Sequence, residues 1–372
     1  MTKPDRLFSL DVFRGITVAA MILVNNPGSW DAIYPPLEHA HWNGCTPTDL
    51  IFPFFLFIVG MSIHFAYQNK IEEGLSRKLF MKILKRAVII FLLGILLAWF
   101  PVFSLERLER LRIPGVLQRI SVVFLFCSLL YFKTRWLTQI RIVLVLLVGY
   151  FLLMTFVPVP GFGDANLEPE TNLGAWLDRL LLNGHLWSQS KTWDPEGVLS
   201  TIPAVATGLL GLLTGQLFSK IEKPEQRTTW LFFIGAILIF SGLCWSLIFP
   251  LNKSLWTSSF VLYAAGIALQ FFACCYWLID VQGWKKWATP FVYYGTNAIF
   301  VFVASGILAK TLARIKITEG DEEISFWSYV YEHLYASWLS PKNASLAFAV
   351  TLILFFLLIL WQMYKRKIFI KV

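Results

Sequence analysis

Residues 47–67 read PTDLIFPFFLFIVGMSIHFAY. Between Asp49 and His64 the run carries no charge, and at 1.5 Å per residue a helix of this length crosses a hydrocarbon core of roughly 30 Å. Nine further windows of similar character surround it. Together they predict ten spans, at about 8–29, 47–67, 83–103, 114–132, 140–158, 197–218, 230–250, 258–279, 289–309 and 344–363. The composition of the 372 residues agrees, with 57% hydrophobic, 16% aromatic and only 15% charged side chains, and a mean hydropathy of +0.62. A water-soluble domain of this size cannot hide that much apolar surface. The expectation is an all-α polytopic membrane protein forming one domain over 1–372. Secreted disulfide scaffolds, disordered chains and peripheral proteins are excluded, and the long unbroken runs are unlike the alternating strands of outer-membrane barrels.

The net charge of +9 would suggest a nucleic-acid partner in a soluble protein, but here it follows from topology. Placing the N-terminus inside assigns 20 Lys and Arg to the inner side and 11 to the outer, with Arg14 inside the first span. That bias favours N-in and C-in, and no nucleic-acid partner is expected. The five cysteines show no metal-ligand spacing, so neither a disulfide framework nor a metal site is expected. With this orientation His39, His41, His185 and His333 fall outside.

Ionisable and amide groups in an apolar chain are functional candidates by default. Asp11 and Arg14 in DVFRG can pair on one helix face, as a structural ion pair or as part of a site. Asn25 and Asn26 close the first span, where an amide either donates to a substrate carbonyl or solvates the helix end. The segment HAHWNGCTPTDLIFP (39–53) sets His39, His41, Trp42 and Asn43 close to Asp49. A carboxylate beside an imidazole is the usual arrangement of a general base; the alternative is an interfacial His and Trp belt with Asp49 capping the second span.

RLRIPGVLQR (110–119) places Arg110, Arg112 and Arg119 outside, against the positive-inside trend, with Gln118 beside them. Arginines there imply a bound anion or a carboxylate partner. WDPEG (193–197) sets Asp194 and Glu196 before the sixth span, either complementing its dipole or binding a cationic amine. PLNKSLW (250–256) supplies Asn252, Lys253 and Trp256 in an outer turn, and TPFVYYGTNAI (289–299) puts Asn297 inside the ninth span. Arg6, Lys365, Arg366, Lys367 and Lys371 cluster at the inner face, suited to topology, anionic membrane lipid or a phosphorylated cofactor.

In this order SLDVFRG, VNN, HAHWNGCTPTDLIFPFFLFIVG, RIPGVLQR, WDPEGVLSTI, PLNKSLWTSSF, TPFVYYGTNAI and YKRKIFIKV run through nearly the whole chain. The set resembles the transmembrane acyltransferase family of heparan-α-glucosaminide N-acetyltransferase and its bacterial relatives, in a minimal form without the luminal domain. The resemblance implies that acetyl-CoA from the cytoplasm gives its acetyl group to the amino group of glucosamine or a terminal glucosaminide across the membrane. It implies an integral protein of a bacterial inner (cytoplasmic) membrane. The family's active-site His falls on His39, its VN asparagine on Asn25 or, with a shift of register, Asn26, and its Asp on Asp49. Asp11 and Arg14 match its DxFRG, while His41 departs from the family motif and its role is open.

The resulting expectation is a catalytic set of His39, Asn25 and Asp49. In it His39 acts as base or as acetyl carrier, Asn25 holds the oxyanion, and Asp49 orients His39. Arg6, Arg14, Lys365, Arg366 and Lys371 would hold the CoA phosphates. Asp11, Trp42, Asn43, Arg112, Gln118, Arg119, Asp194, Glu196, Asn252 and Asn297 would line the acceptor site. Two alternatives are an O-acetyltransferase of a cell-envelope glycan and an amino-sugar permease, the latter disfavoured by the lack of a clear inverted repeat. A homo-oligomer is left open.

Overall fold

The computed structural model describes residues 7–319 and 321–370. Its helices are α1 (Phe8–Asn25), α2 (Pro47–Tyr67), α3 (Arg77–Trp99), α4 (Leu105–Glu109), α5 (Val116–Lys133), α6 (Trp136–Phe156) and α7 (Leu173–Leu182). They continue with α8 (Thr201–Lys220), α9 (Pro224–Ser246), α10 (Ser258–Tyr276), α11 (Thr289–Thr296) and α12 (Ala298–Arg314). A small antiparallel hairpin, β1 (Lys316–Glu319) and β2 (Glu322–Ser325), then leads to α13 (Phe326–Tyr331) and α14 (Pro341–Lys365). Among the described residues eight helices are long and apolar enough to cross a membrane: α1, α2, α5, α6, α8, α9, α10 and α14. The chain is an all-α polytopic membrane protein.

The expected third span is α3, 23 residues long, with Lys82, Lys85 and Arg86 charging its first half. The expected ninth is not one straight helix: α11 and α12 meet at a 74° bend. Asn297 occupies the break, its Oδ1 accepting the Ile370 N–H at 2.8 Å and its Nδ2 donating to the Ile368 carbonyl at 3.2 Å. The C-terminal tail thus satisfies the amide that interrupts the helix. The first span ends earlier than expected because Asn26 turns its Nδ2 back onto the Ile22 carbonyl, 2.9 Å away.

α2 begins where local chemistry dictates. Thr46 is its N-cap, Pro47 its first residue, and Asp49 completes the capping box. Farther along, its backbone touches that of α8 with no side chain between. A Cβ on Gly60 would lie 1.9 Å from the Gly208 carbonyl oxygen, and one on Gly211 1.9 Å from that of Phe57. α1 meets α11 in the same way, a Cβ on Gly15 falling 1.7 Å from the Phe291 carbonyl oxygen. Small residues permit such approach, and inside a membrane close packing takes over much of what the hydrophobic effect does in water. α2 runs from Asp49 at one end of the bundle to Ser62 near the other, about 20 Å at helical rise.

Candidate active site

At the end of the bundle where α2 begins, the 38–46 loop folds back over the helix N-terminus. The Asp49 carboxylate, 1% exposed, organises it. Its Oδ2 accepts the Thr46 N–H at 2.9 Å, the Thr46 hydroxyl at 3.1 Å and the Ala40 N–H at 3.1 Å. Its Oδ1 lies 2.7 Å from His39 Nδ1. The carboxylate is thereby fixed by its own helix cap, and His39 is fixed by the carboxylate with its Nδ1 carrying the shared proton. The imidazole is half-exposed, and its Nε2 is not bonded to the carboxylate.

The 250–257 loop closes over the same imidazole. Asn252, fully buried, accepts the Leu255 N–H at 2.8 Å and donates to Asn43 Oδ1 at 3.2 Å, while the Gly44 N–H reaches the Leu251 carbonyl at 2.8 Å. These bonds hold the two loops in register and bring Lys253 Nζ to 3.2 Å from both ring nitrogens of His39. Because Cε1 lies between those nitrogens, equal distances set the ammonium against the ring face and not in line with the Nε2 lone pair.

Beneath this pair runs a network of charges. Arg112 grips Asp194 through Nε at 2.8 Å and Nη2 at 2.6 Å, and Nη2 also reaches Glu196. Arg119, 2% exposed, donates to the Gly197 carbonyl at 3.2 Å and to Ser200. Its guanidinium lies 5.0 Å from the centre of the Trp256 ring. Burial drives the Glu196 carboxyl up, but Arg112, Arg119 and Lys253 outweigh it and hold Glu196 below the usual carboxylate range. Burial pulls the Lys253 ammonium below the usual lysine range, with Glu196 and Asp49 pulling back. Burial, with Asp49 behind it, pushes the Cys45 thiol up to about 12. Cys45 is therefore not a thiolate near neutral pH and is a poor nucleophile.

Asp178 on α7 accepts the Val198 N–H at 2.9 Å and the Asp194 N–H at 3.3 Å, building the 194–198 turn that carries both acids. Gly197 is required there, since a Cβ would meet the Asp178 carboxylate at 2.2 Å. Trp42 donates to the Leu167 carbonyl at 2.9 Å and packs edge-on against Trp193, centroids 5.1 Å apart, making an aromatic wall.

Several expected site residues are not bonded into this network. Asn25 closes α1 exposed, and its side chain makes no hydrogen bond among the described residues. Gln118 packs against Gly94 and Gly115, between α5 and α3. Asp11 and Asn297 belong to the opposite end of the bundle, as the contact of the Asp11 carbonyl with Gly295 requires. That end holds a cavity of about 630 Å³ lined by Asp11, Arg14, Ser62, Gln68, Arg227 and Tyr276, among others, a volume typical of small-molecule sites. Arg14 is held there by Asp11 at 3.0 Å, Ser62 at 2.8 Å and the Gly295 carbonyl at 3.2 Å. Lys365 and Arg366 are exposed and outside its lining, Lys365 stacking over Trp361. Arg6 and Lys371 lie outside the described residues. Arg227, Asp178 and the seat of Lys253 against His39 were not anticipated. Only Lys253 had a sequence signal, its place in PLNKSLW.

A family model described as "Domain of unknown function (DUF5009)" matches residues 6–207, more than half of the chain. The chain belongs to the DUF5009 family. The matched stretch of the DUF5009 fold carries His39, Asp49, Arg112, Asp194 and Glu196, while Lys253 lies beyond it. The chain is also 31% identical to the human (Homo sapiens) heparan-alpha-glucosaminide N-acetyltransferase, over 71% of this chain and 47% of that protein. With the mouse (Mus musculus) protein of the same name the identity is 29%, over 70% and 47%. The chain thus spans about half the length of the curated relatives it matches, and the resemblance drawn from the ordered motifs is borne out.

Proposed function

We propose that the chain is a membrane acyltransferase that moves the acetyl group of acetyl-CoA onto the amino group of glucosamine or a terminal glucosaminide. The observation that carries this reading is the His39–Asp49 pair at 2.7 Å, with the imidazole half-exposed. Two relatives named as glucosaminide N-acetyltransferases support the acceptor class. The acceptor nitrogen loses its proton to His39 Nε2 and attacks the thioester carbon. The C–N bond forms, the C–S bond breaks, and the thiolate takes the proton back from the imidazolium. Asp49 fixes the tautomer and steadies the imidazolium.

In this reading the donor enters the cavity that Arg14 and Arg227 line, on the cytoplasmic side by the charge bias, and its phosphates meet those cations. An extended pantetheine arm is long enough for the roughly 20 Å between the two ends of α2. The acceptor lies on the other side, against Trp42, Asn43 and Glu196, with the protein in a bacterial inner membrane. Arg112, Asp194, Asn252 and Gln118 brace the site instead of binding sugar, because their polar atoms or packing surfaces are already engaged.

Purified protein incubated with acetyl-CoA and a panel of amino sugars, following free-thiol release and product mass, tests the reading. Acetylated glucosamine made by the wild type and absent with His39→Ala supports it. Acetylation of hydroxyls alone moves the acceptor to a glycan oxygen. Solute uptake into vesicles without acetyl-CoA, with no acetylated product, makes the protein a permease.

A further inference from the structure

We infer that Lys253 is a catalytic residue of this acyl transfer, its ammonium holding the oxyanion that forms on the thioester carbonyl. The inference rests on the reading above and adds to it a residue outside the matched family model, in place of Asn25, for which the sequence had suggested that role. Among the described residues Lys253 is the cation in contact with His39, 3.2 Å from both ring nitrogens, whereas the exposed Asn25 side chain makes no hydrogen bond.

Geometry ties this position to the reacting atoms. A nitrogen giving its proton to Nε2 lies within about 3 Å of it, and the carbonyl carbon under attack lies about 3–3.5 Å from that nitrogen. These separations allow the carbonyl oxygen to lie beside a cation seated on the ring, and the inference places it there. As the nitrogen–carbon bond forms, the carbonyl π electrons move to oxygen, and the charge develops beside the ammonium. When the tetrahedral adduct collapses the electrons return, the C–S bond breaks and the thiolate leaves with the proton from His39. Lys253 gives up no proton and stays a cation throughout, with donors to spare for such an oxyanion.

The loop is built to hold that charge still, which is what makes such a group effective. Asn252 beside it is fully buried and bonded to Leu255 and Asn43. Trp256 adopts φ 54°, fixed by its Nε1 donating to Thr207 at 3.1 Å. The charged and titratable groups facing Lys253 are His39, Glu196, Asp49, Arg119 and Cys45. The two carboxylates oppose the burial that lowers the ammonium below the usual lysine range.

The test compares wild type, His39→Ala, Lys253→Met and Lys253→Cys, the last before and after alkylation with bromoethylamine, which restores an ammonium. Wild type carried through the same alkylation is the control. Lys253→Met is expected to lower kcat by about 10²–10³ while KM for acetyl-CoA and for glucosamine stays within about threefold. Alkylated Lys253→Cys is expected to regain at least tenfold, which a purely structural loss would not allow. If Lys253→Met keeps kcat on the pH plateau and only the acid limb moves, or if its loss is confined to KM, the oxyanion role is overturned while the transferase reading stands. Failure of the alkylated variant to recover any rate also overturns it. A wild type that acetylates nothing takes down the transferase reading and this inference with it.

Discussion

His39 Nδ1 and Asp49 Oδ1 lie 2.7 Å apart, and the carboxylate that orients the imidazole is the same one that caps α2. The proposed catalytic pair and helix initiation are thus a single arrangement. Asp49→Asn keeps an acceptor for the cap but loses the charge that steadies an imidazolium. Its kcat for thiol release is expected to fall by about 10²–10⁴, the usual worth of general-base catalysis, with a thermal unfolding midpoint near wild type. Asp49→Ala is expected to lose the activity and about 1 kcal/mol of stability besides.

The Arg112 fork answers two carboxylates at once. Arg112→Met leaves Asp194 and Glu196 buried without it, and breaking such a pair costs about 3–5 kcal/mol. A marked drop in the unfolding temperature in detergent, partly recovered by adding Asp194→Asn, is the expected outcome. If the variant instead kept its stability and lost only acceptor affinity, Arg112 would be a sugar ligand.

Contact between α2 and α8 depends on absent side chains. Gly211→Ala would drive its Cβ to 1.9 Å from the Phe57 carbonyl oxygen, so the helices must part, at a cost of about 1–3 kcal/mol. Circular dichroism on heating should show the loss. Gly161→Ala is the comparison, since no atom lies within 4 Å of the added carbon, although the positive φ of 83° there adds its own strain.

Asp178 carries a pH signature. Burial pushes its carboxyl up to about 6 from an ordinary 3.8. The folded protein therefore binds a proton over that interval that the unfolded chain has released, and this group's contribution to stability falls as pH rises from about 4 to about 6. Glu196, held low by Arg112, Arg119 and Lys253, works in the opposite sense and loses its contribution on acidification. The stability difference between wild type and Asp178→Asn should accordingly shrink across that interval as pH rises, measured as paired unfolding midpoints. A difference independent of pH would contradict the assignment.

Most spans were legible because a run such as 47–67 has one affordable conformation in lipid, where each backbone polar group needs a partner within its own helix. The bend at Asn297 was not legible. It depends on Ile368 and Ile370 arriving from the far end of the chain to satisfy the amide. Pairing of His39 with Asp49 could be anticipated from ten residues of separation and a capping pattern. The joining of Arg112 to Asp194, 82 residues away, was open among several acids, since charge alone does not choose a partner.

By itself, the sequence determined the membrane-spanning class, the approximate spans, and the loop in which an imidazole and its carboxylate sit, all of them local properties of apolar length and short spacing. Only the tertiary structure decided which polar groups share a site. It set Lys253 against His39 across 214 residues, and it separated Asp11 and Asn297 from the group they were expected to join. It also formed the cavity around Arg14 at the opposite end of the bundle. The physical reason is that such contacts are fixed by helix packing, here by glycines that let backbones touch, and packing is a relation between distant segments that no local run of residues encodes.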